Sequence, residues 1–357
     1  MPLNHYQKIL IINTFGIGDV LFTTPMIANL KQAMPHCEIG FVANARTAEI
    51  MRHHPDIADV FVYERDEFKE AGRRSKIELW RKASALINAI RSKRYDAVID
   101  LSMNSQSGLF MRWAGIRERI GYDFKGRGRF LTRKIPLKGF NDKHVVEYYL
   151  DLLRCMGIKP QLLPMSFPLS EGEHSWAEQI FKEHRIEAKR AIAVVPGGGA
   201  SWGNDAELKR WPASNFAELA HKFVEKFKVQ IILIGSVSDG PFAQGIQARL
   251  QGQTLDLTGQ TTLGQSAAIF ARCRCVVAND GGPLHMAVAA GAKTVSIFGP
   301  VDPRVYGPYP GSGHTVITSH IACQPCYRRF RMAQCDHRNC LKLLTVQQVL
   351  NCAEQIF

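Results

Sequence analysis

The segment from Val276 to Pro310, VVANDGGPLHMAVAAGAKTVSIFGPVDPRVYGPYP, constrains this chain more than any other. It compresses a strand, a glycine turn, a helix and a second strand into one unit, the building block of a parallel α/β layer. Val276 and Val277 end the first strand, Asn279 to Gly282 form the turn, and Pro283 falls in the first helical turn, where its missing N–H removes nothing. The exposed amides of that turn, approached without side-chain obstruction at Gly281 and Gly282, suit a phosphate at the positive end of the helix dipole. Asp280 runs against this, because a carboxylate beside a phosphate needs another task. Two readings stand: it caps the helix, or it accepts hydrogen bonds from sugar hydroxyls next to the phosphate. His285, one turn into the helix, is either a phosphate contact or a structural histidine.

The rest of the chain repeats the design. Strands are expected at Lys8–Asn13, Glu38–Ala43, Val60–Tyr63 and Ala97–Leu101, with helices at about Asp19–Met34 and Lys143–Met156. Gly157–Pro168, with three prolines, reads as a linker. A second series of strands follows at Ala191–Val195, Gln230–Ile234, Thr254–Leu257, Cys275–Ala278 and Thr294–Phe298. Two doubly wound domains result, whose ligands bind beyond the carboxyl ends of the strands. The expected divisions are 1–160, 161–340 and a terminal helix in 341–357.

Four loops carry the chemistry. NTFGIGDVLFTTPMI places Gly16 and Gly18 after a strand, but the third glycine of a dinucleotide fingerprint would fall at Leu21, and no acidic residue ends the second strand near Ala43. Asp19 opens the helix instead, as a dipole partner or as a general base for an acceptor hydroxyl. In VVPGGGASWGNDAELKRWP, Gly198 and Gly199 allow close backbone approach, Ser201 offers a hydroxyl, and Lys209 supplies a mobile charge for a diphosphate. It is no P-loop, since no lysine directly follows the terminal glycine. In GSVSDG, Asp239 either caps a helix or meets a ribose hydroxyl.

Charge is segregated. Of the net +13, residues 69–94 hold nine Lys or Arg against two acids, and residues 117–138 eight against two. Within the first window Ile77, Trp80, Ala83, Ile87 and Ile90 recur at helical spacing, so a buried stripe is expected opposite a basic face that could meet anionic lipid or an anionic acceptor. No nucleic-acid-binding motif accompanies the charge. The chain has no apolar run long enough to span a bilayer and no signal-peptide pattern at its start, so a cytoplasmic protein is expected.

GDVLFTTPMI, PGGG followed by KRWP, LTGQTTLGQSAAIFARCRCVVANDGGPLH and FGPVDPRVYGPYP together resemble glycosyltransferase family 9, the lipopolysaccharide heptosyltransferases, over nearly the whole chain. The resemblance implies a GT-B fold of two facing Rossmann-like domains and an inverting transfer of heptose from ADP-heptose without a catalytic metal. It implies Asp19 as base, Lys209 as the diphosphate lysine, Asp280 as the donor-sugar carboxylate and Asp239 as a ribose contact. The N-terminal domain would receive an anionic Kdo–lipid A acceptor at the inner face of the cytoplasmic membrane. Alternatives are a related transferase with another nucleotide sugar or acceptor, a nucleotide-sugar epimerase, and a non-catalytic nucleotide-sugar-binding protein, against which Asp19 argues.

Cys323, Cys326, Cys335 and Cys340 form C-x2-C-x8-C-x4-C. They are either reduced thiols or the ligands of a structural Zn or Fe. Arg328, Arg329 and Arg331 are expected to lower the thiol pKa values.

Overall fold

The computed structural model describes residues 6–198, 203–250 and 254–356. The chain divides into two compact units, Met1–Pro164 and Met165–Phe357.

The first unit runs β1 (Lys8–Ile12), α1 (Ile17–Leu21), α2 (Thr24–Ala33), β2 (Glu38–Ala43), α3 (Ala45–Arg52), β3 (Ile57–Val62), α4 (Arg65–Arg74), α5 (Lys76–Lys93), β4 (Ala97–Asp100), α6 (Ser105–Trp113), β5 (Glu118–Phe124), β6 (Arg133–Leu137) and α7 (Val145–Cys155). All pairings are parallel, in the order β3-β2-β1-β4-β5-β6. The central strands KILII and AVID are buried on both faces, as parallel strands between helical layers must be. The helix expected over Asp19–Met34 is two helices: the chain turns at Phe22 and Thr23, and Pro25 sits in the first turn of α2.

The basic helix α5 departs from expectation. Ile87 and Ile90 lie in a core cluster with Leu10, Ile12, Val98 and Met111, but Ile77 and Trp80 are 79% and 72% exposed. The reason is geometric. Eighteen residues of helix span ~27 Å, whereas the six residues of β3 cover only ~20 Å, so the sheet cannot cover the whole stripe.

The second unit runs α8 (Glu171–Glu183), β7 (Ala191–Val195), a 3-10 turn at Gly203–Lys209, α9 (Ala213–Phe227), β8 (Gln230–Leu233), α10 (Gly240–Leu250), β9 (Thr254–Asp256), α11 (Leu263–Arg272), β10 (Cys275–Asn279), α12 (Gly282–Ala289), β11 (Thr294–Ile297), α13 (Pro303–Tyr306), β12 (His314–Ile317), α14 (Asn339–Lys342) and α15 (Val346–Ala353). Its sheet is again wholly parallel, ordered β12-β11-β10-β7-β8-β9. The C-terminal helix is part of this unit's core, where Leu341, Val346, Val349 and Leu350 pack with Phe216 and Phe223 of α9. Burying side chains of this kind contributes about 1.5–3 kcal/mol each.

Candidate active site

In the first unit, Asp19 is the third residue of the short α1, and its Oδ2 accepts from the Gly16 N–H at 3.2 Å. It is half-buried. The fully buried Asn13, at the end of β1, donates from Nδ2 to the Asp19 carbonyl at 2.9 Å and accepts from the Phe15 N–H. Asn44, after β2, donates to the carbonyls of Thr14 and Phe15. Two asparagines at the carboxyl ends of adjacent strands thus fix the backbone on which Asp19 is mounted. Tyr149 of α7 lies beneath, hydrogen-bonded to Asn13; burial first, then the charge of Asp19, push its phenol far above the ordinary range. The half-buried carboxylate of Asp19 is thus paired with a phenol that stays neutral.

Asp100, ending β4 on the same carboxyl edge, is buried and accepts from the Ser102 N–H at 2.9 Å and from the Ser107 hydroxyl. Burial raises its pKa, and these hydrogen bonds only partly oppose the rise. The loop following β5 brings three exposed cations, Lys125, Arg127 and Arg129, to this edge as well.

In the second unit, the turn after β10 is built against the loop after β7. A side chain at Gly281 would strike the Gly198 carbonyl at 1.8 Å, so the two backbones touch there and only glycine fits. Asn279, fully buried, joins three segments: its Nδ2 donates to the Pro196 carbonyl at 2.7 Å, and its Oδ1 accepts from the Trp211 N–H at 2.9 Å. That anchor sets the position of Lys209, two residues earlier. Lys209 Nζ lies 2.6 Å from Asp280 Oδ2, and the two residues are 9% and 3% exposed. His285 Nε2 stands 4.0 Å from the other Asp280 oxygen, buried beneath the helix start. The N-cap position of α12 is Gly281 rather than Asp280, and the Asp280 carboxylate faces a lysine. Gly282 opens α12, with Pro283 in its first turn. Gly199 and Ser201 lie outside the described residues.

Asp239 makes the capping bonds. Its Oδ2 accepts from the Ser236 N–H at 2.8 Å and from the Ser236 hydroxyl at 2.7 Å, and the buried carboxyl group packs on Gly197. Arg210 completes the brace, donating from Nε to the Gly197 carbonyl at 2.6 Å and lying 3.8 Å from Asp239 Oδ1. Neither Arg210 nor Asn279 stands out in the sequence. The KRWP run and an asparagine at a strand end were the only signals.

The sulfurs of Cys323, Cys326 and Cys335 lie near enough to Cys340 to raise its pKa. Among the described residues no group of three or more His, Cys, Asp or Glu side chains could hold a metal ion. Cys340 is committed to the apolar core beside Leu341, Cys323 is exposed, and the Cys335 sulfur accepts from the Arg338 N–H. At Cys326 and Cys340 the expected lowering of the thiol pKa is overturned. Burial dominates, raising Cys326 and pushing Cys340 up to about 11, with neighbouring sulfurs adding to both shifts and Arg328 giving only a minor opposing effect at Cys326. The loop also braces the site: Gln324 donates to the carbonyls of Phe298 and Gly299, and Arg338 to that of Glu207 in the turn carrying Lys209.

Two doubly wound parallel sheets, each carrying polar chemistry at the carboxyl edge, define a GT-B type α/β protein. Comparison with known proteins specifies it further. Residues 83–337 match glycosyltransferase family 9 (heptosyltransferase). The chain is 28% identical over 311 residues to lipopolysaccharide heptosyltransferase 2 of Escherichia coli (strain K12), covering 83% of this chain and 84% of that protein. Among solved structures it resembles a family 9 glycosyltransferase from Veillonella parvula, with a TM-score of 0.79 and 21% identity over 100% of this chain and 98% of that one. It also resembles the E. coli ADP-heptose lps heptosyltransferase II, with a TM-score of 0.73 and 26% identity over 98% of both chains. This chain belongs to glycosyltransferase family 9, and it is a glycosyltransferase.

Proposed function

We propose that this enzyme moves heptose from ADP-heptose to a hydroxyl of the lipopolysaccharide inner core, with inversion at the anomeric carbon and without a catalytic metal. The donor and acceptor classes follow from the names of its relatives, lipopolysaccharide heptosyltransferase 2 and ADP-heptose lps heptosyltransferase II. The observation that carries the reading is the buried Lys209–Asp280 pair beside the Gly281–Gly282 turn. It answers the objection to a carboxylate at a phosphate site. The lysine pairs with Asp280 and is available to the diphosphate, while Asp280 accepts hydrogen bonds from the sugar.

In this reading the acceptor hydroxyl gives its proton to the Asp19 carboxylate as its oxygen attacks the anomeric carbon. The bond from that carbon to the β-phosphate oxygen breaks on the opposite face, and ADP departs with the electron pair. Lys209 and the amides at the start of α12 stabilise the charge gathering on the leaving diphosphate. No step draws on a metal ion, because a fixed ammonium and oriented amides supply the positive charge. The exposed cations Lys125, Arg127 and Arg129, on the edge that carries Asp19, suit the anionic sugars of a Kdo–lipid A acceptor. Such an acceptor is lipid-borne, so the enzyme works as a peripheral protein at the inner face of the cytoplasmic membrane. Among the described residues no helix is long and apolar enough to cross one.

The test is ADP release from ADP-heptose with a Kdo-containing lipid A acceptor, with and without EDTA, using UDP- and GDP-sugars as controls. Acceptor-dependent release that persists in EDTA supports the reading. Release only with another nucleotide sugar, or none after chelation, overturns the donor or the metal independence respectively.

A further inference from the structure

The α4–α5 hairpin presents an apolar pair that, among the described residues, stands exposed on its own unit. α4 leaves the carboxyl edge of the sheet at Tyr63, whose ring packs on Phe68 at 4.6 Å. The two helices then run antiparallel. Glu67 pairs with Lys82 at 3.1 Å, and Gly72 lies so close to Leu79 that a side chain there would meet it at 3.3 Å. Ser75 makes the turn and caps α5, its hydroxyl accepting from the Ile77 N–H. Beyond the Glu67–Lys82 pair the hairpin extends by about seven residues on each arm, roughly 10 Å of helix. It overhangs the edge where Asp19 and the Lys125–Arg129 loop are mounted.

Ile77 and Trp80 occupy that overhang, three residues apart and so on one helical face. Arg73, Lys76 and Arg81 are exposed around them. Lys76 is one turn from Trp80, and Arg81 one turn from Ile77, so cations flank the apolar pair on both sides. An isoleucine left in water is unfavourable, whereas a tryptophan beside cations matches the boundary between anionic headgroups and acyl chains.

We propose that the tip of this hairpin is the membrane-docking element of the enzyme. Ile77 and Trp80 enter the headgroup–acyl boundary of an anionic leaflet, and Arg73, Lys76 and Arg81 contact its phosphates. The proposal deepens the lipid-borne acceptor reading and rests on it for its purpose. It orients the first unit with its carboxyl edge, and therefore Asp19, toward the surface from which the acceptor's sugars project.

The test is co-sedimentation of the full-length protein with vesicles of phosphatidylethanolamine containing phosphatidylglycerol, and with uncharged phosphatidylcholine vesicles. The wild type should bind the anionic vesicles and lose them as salt rises. The Ile77→Ser/Trp80→Ser double variant should bind roughly tenfold more weakly or worse, a change of about 1.4 kcal/mol. Trp113→Ser serves as control; that side chain is also exposed but sits at the far end of the α5–α6 pair, where Arg91 holds its carbonyl. Circular dichroism establishes that each variant is folded. In vesicles of brominated lipid, quenching of tryptophan fluorescence should disappear in Trp80→Phe while binding persists. Equal vesicle binding by wild type and double variant overturns the proposal, as does failure of the wild type to bind anionic vesicles. A wild-type dimer that the double variant dissociates, seen by ultracentrifugation, overturns it in favour of a second copy on this face. Transfer to a delipidated, soluble Kdo acceptor should be equal in wild type and double variant. If no transfer occurs even there, the functional reading fails while the vesicle result stands on its own.

Discussion

The carboxyl edges of the two sheets each carry a carboxylate at the start of a helix, and the two are treated differently. Asp19 is half-buried, above a neutral phenol, on a loop whose backbone is pinned by Asn13 and Asn44. Asp280 is buried within 2.6 Å of an ammonium and beside a histidine. A carboxylate whose oxygen is engaged by a lysine is a fixed acceptor for hydroxyl groups. One placed at a partly solvated helix start can take up a proton and return it to water. Under the proposed function, the same residue type in the same topological position serves proton transfer in one unit and anchoring in the other.

The largest effect should come from the first carboxylate. Asp19→Asn preserves shape and removes the proton acceptor, and general-base contributions run at about 10²–10⁴ in rate. We expect kcat to fall by that factor with the Kd for ADP-heptose unchanged by calorimetry. A variant that transferred normally would dismiss Asp19 as the base and dissolve the contrast.

Lys209→Met should act next most strongly, and on stability as well as on binding. Removing one partner of a buried ion pair leaves an uncompensated charge, at a cost of about 3–5 kcal/mol. Urea unfolding should register that loss, with weaker ADP-heptose binding. The Lys209→Met/Asp280→Asn double variant should recover most of the stability and none of the donor affinity. If the single variant unfolded at the wild-type midpoint, the pair would be solvated and the pairing argument would fail.

A smaller effect is expected at Asn13→Ala. It leaves the carboxylate in place and releases its mounting, so kcat should fall about tenfold with KM little changed, as misplacement of a catalytic group does. An equal rise in KM would mean that Asn13 shapes the acceptor site rather than the base.

How much of this contrast was readable beforehand follows physical lines. The central strands were legible because burial on both faces makes them continuous apolar runs, and Gly281 because only glycine allows that close approach. Strands β5, β6 and β12 were not. ERIGYDF and RKIPL lie inside a basic window and mix charges with apolar residues, and Pro136 is tolerated only because β6 is an edge strand. The α5 stripe had the right period, but a period says which residues share a face and not how far the sheet beneath extends. Lys209 was legible as a cation, whereas its burial against Asp280, across about seventy residues of chain, is a tertiary fact that local pattern does not carry.

Asp100 supplies the control, with the smallest expected effect. It is as buried as Asp280, but its partners are a backbone amide and a serine hydroxyl, and its pKa is raised. Below its ordinary value of 3.8 the group is protonated in both the folded and unfolded chain and carries no penalty. As pH rises through that value the unfolded state ionises first, while the folded state still holds the proton. Stability therefore drains away until the folded group also ionises, and beyond that point the loss is constant. Asp100→Asn removes this one contribution, so its stability relative to wild type should climb with pH from 3.8 upward and then level off. Urea midpoints for the two proteins at several pH values between 4 and 7 measure the difference directly, with all other titrating groups cancelling. Parallel profiles would mean that the serine hydrogen bonds fully offset the burial of the Asp100 charge. The cation would then not be what separates the two buried carboxylates.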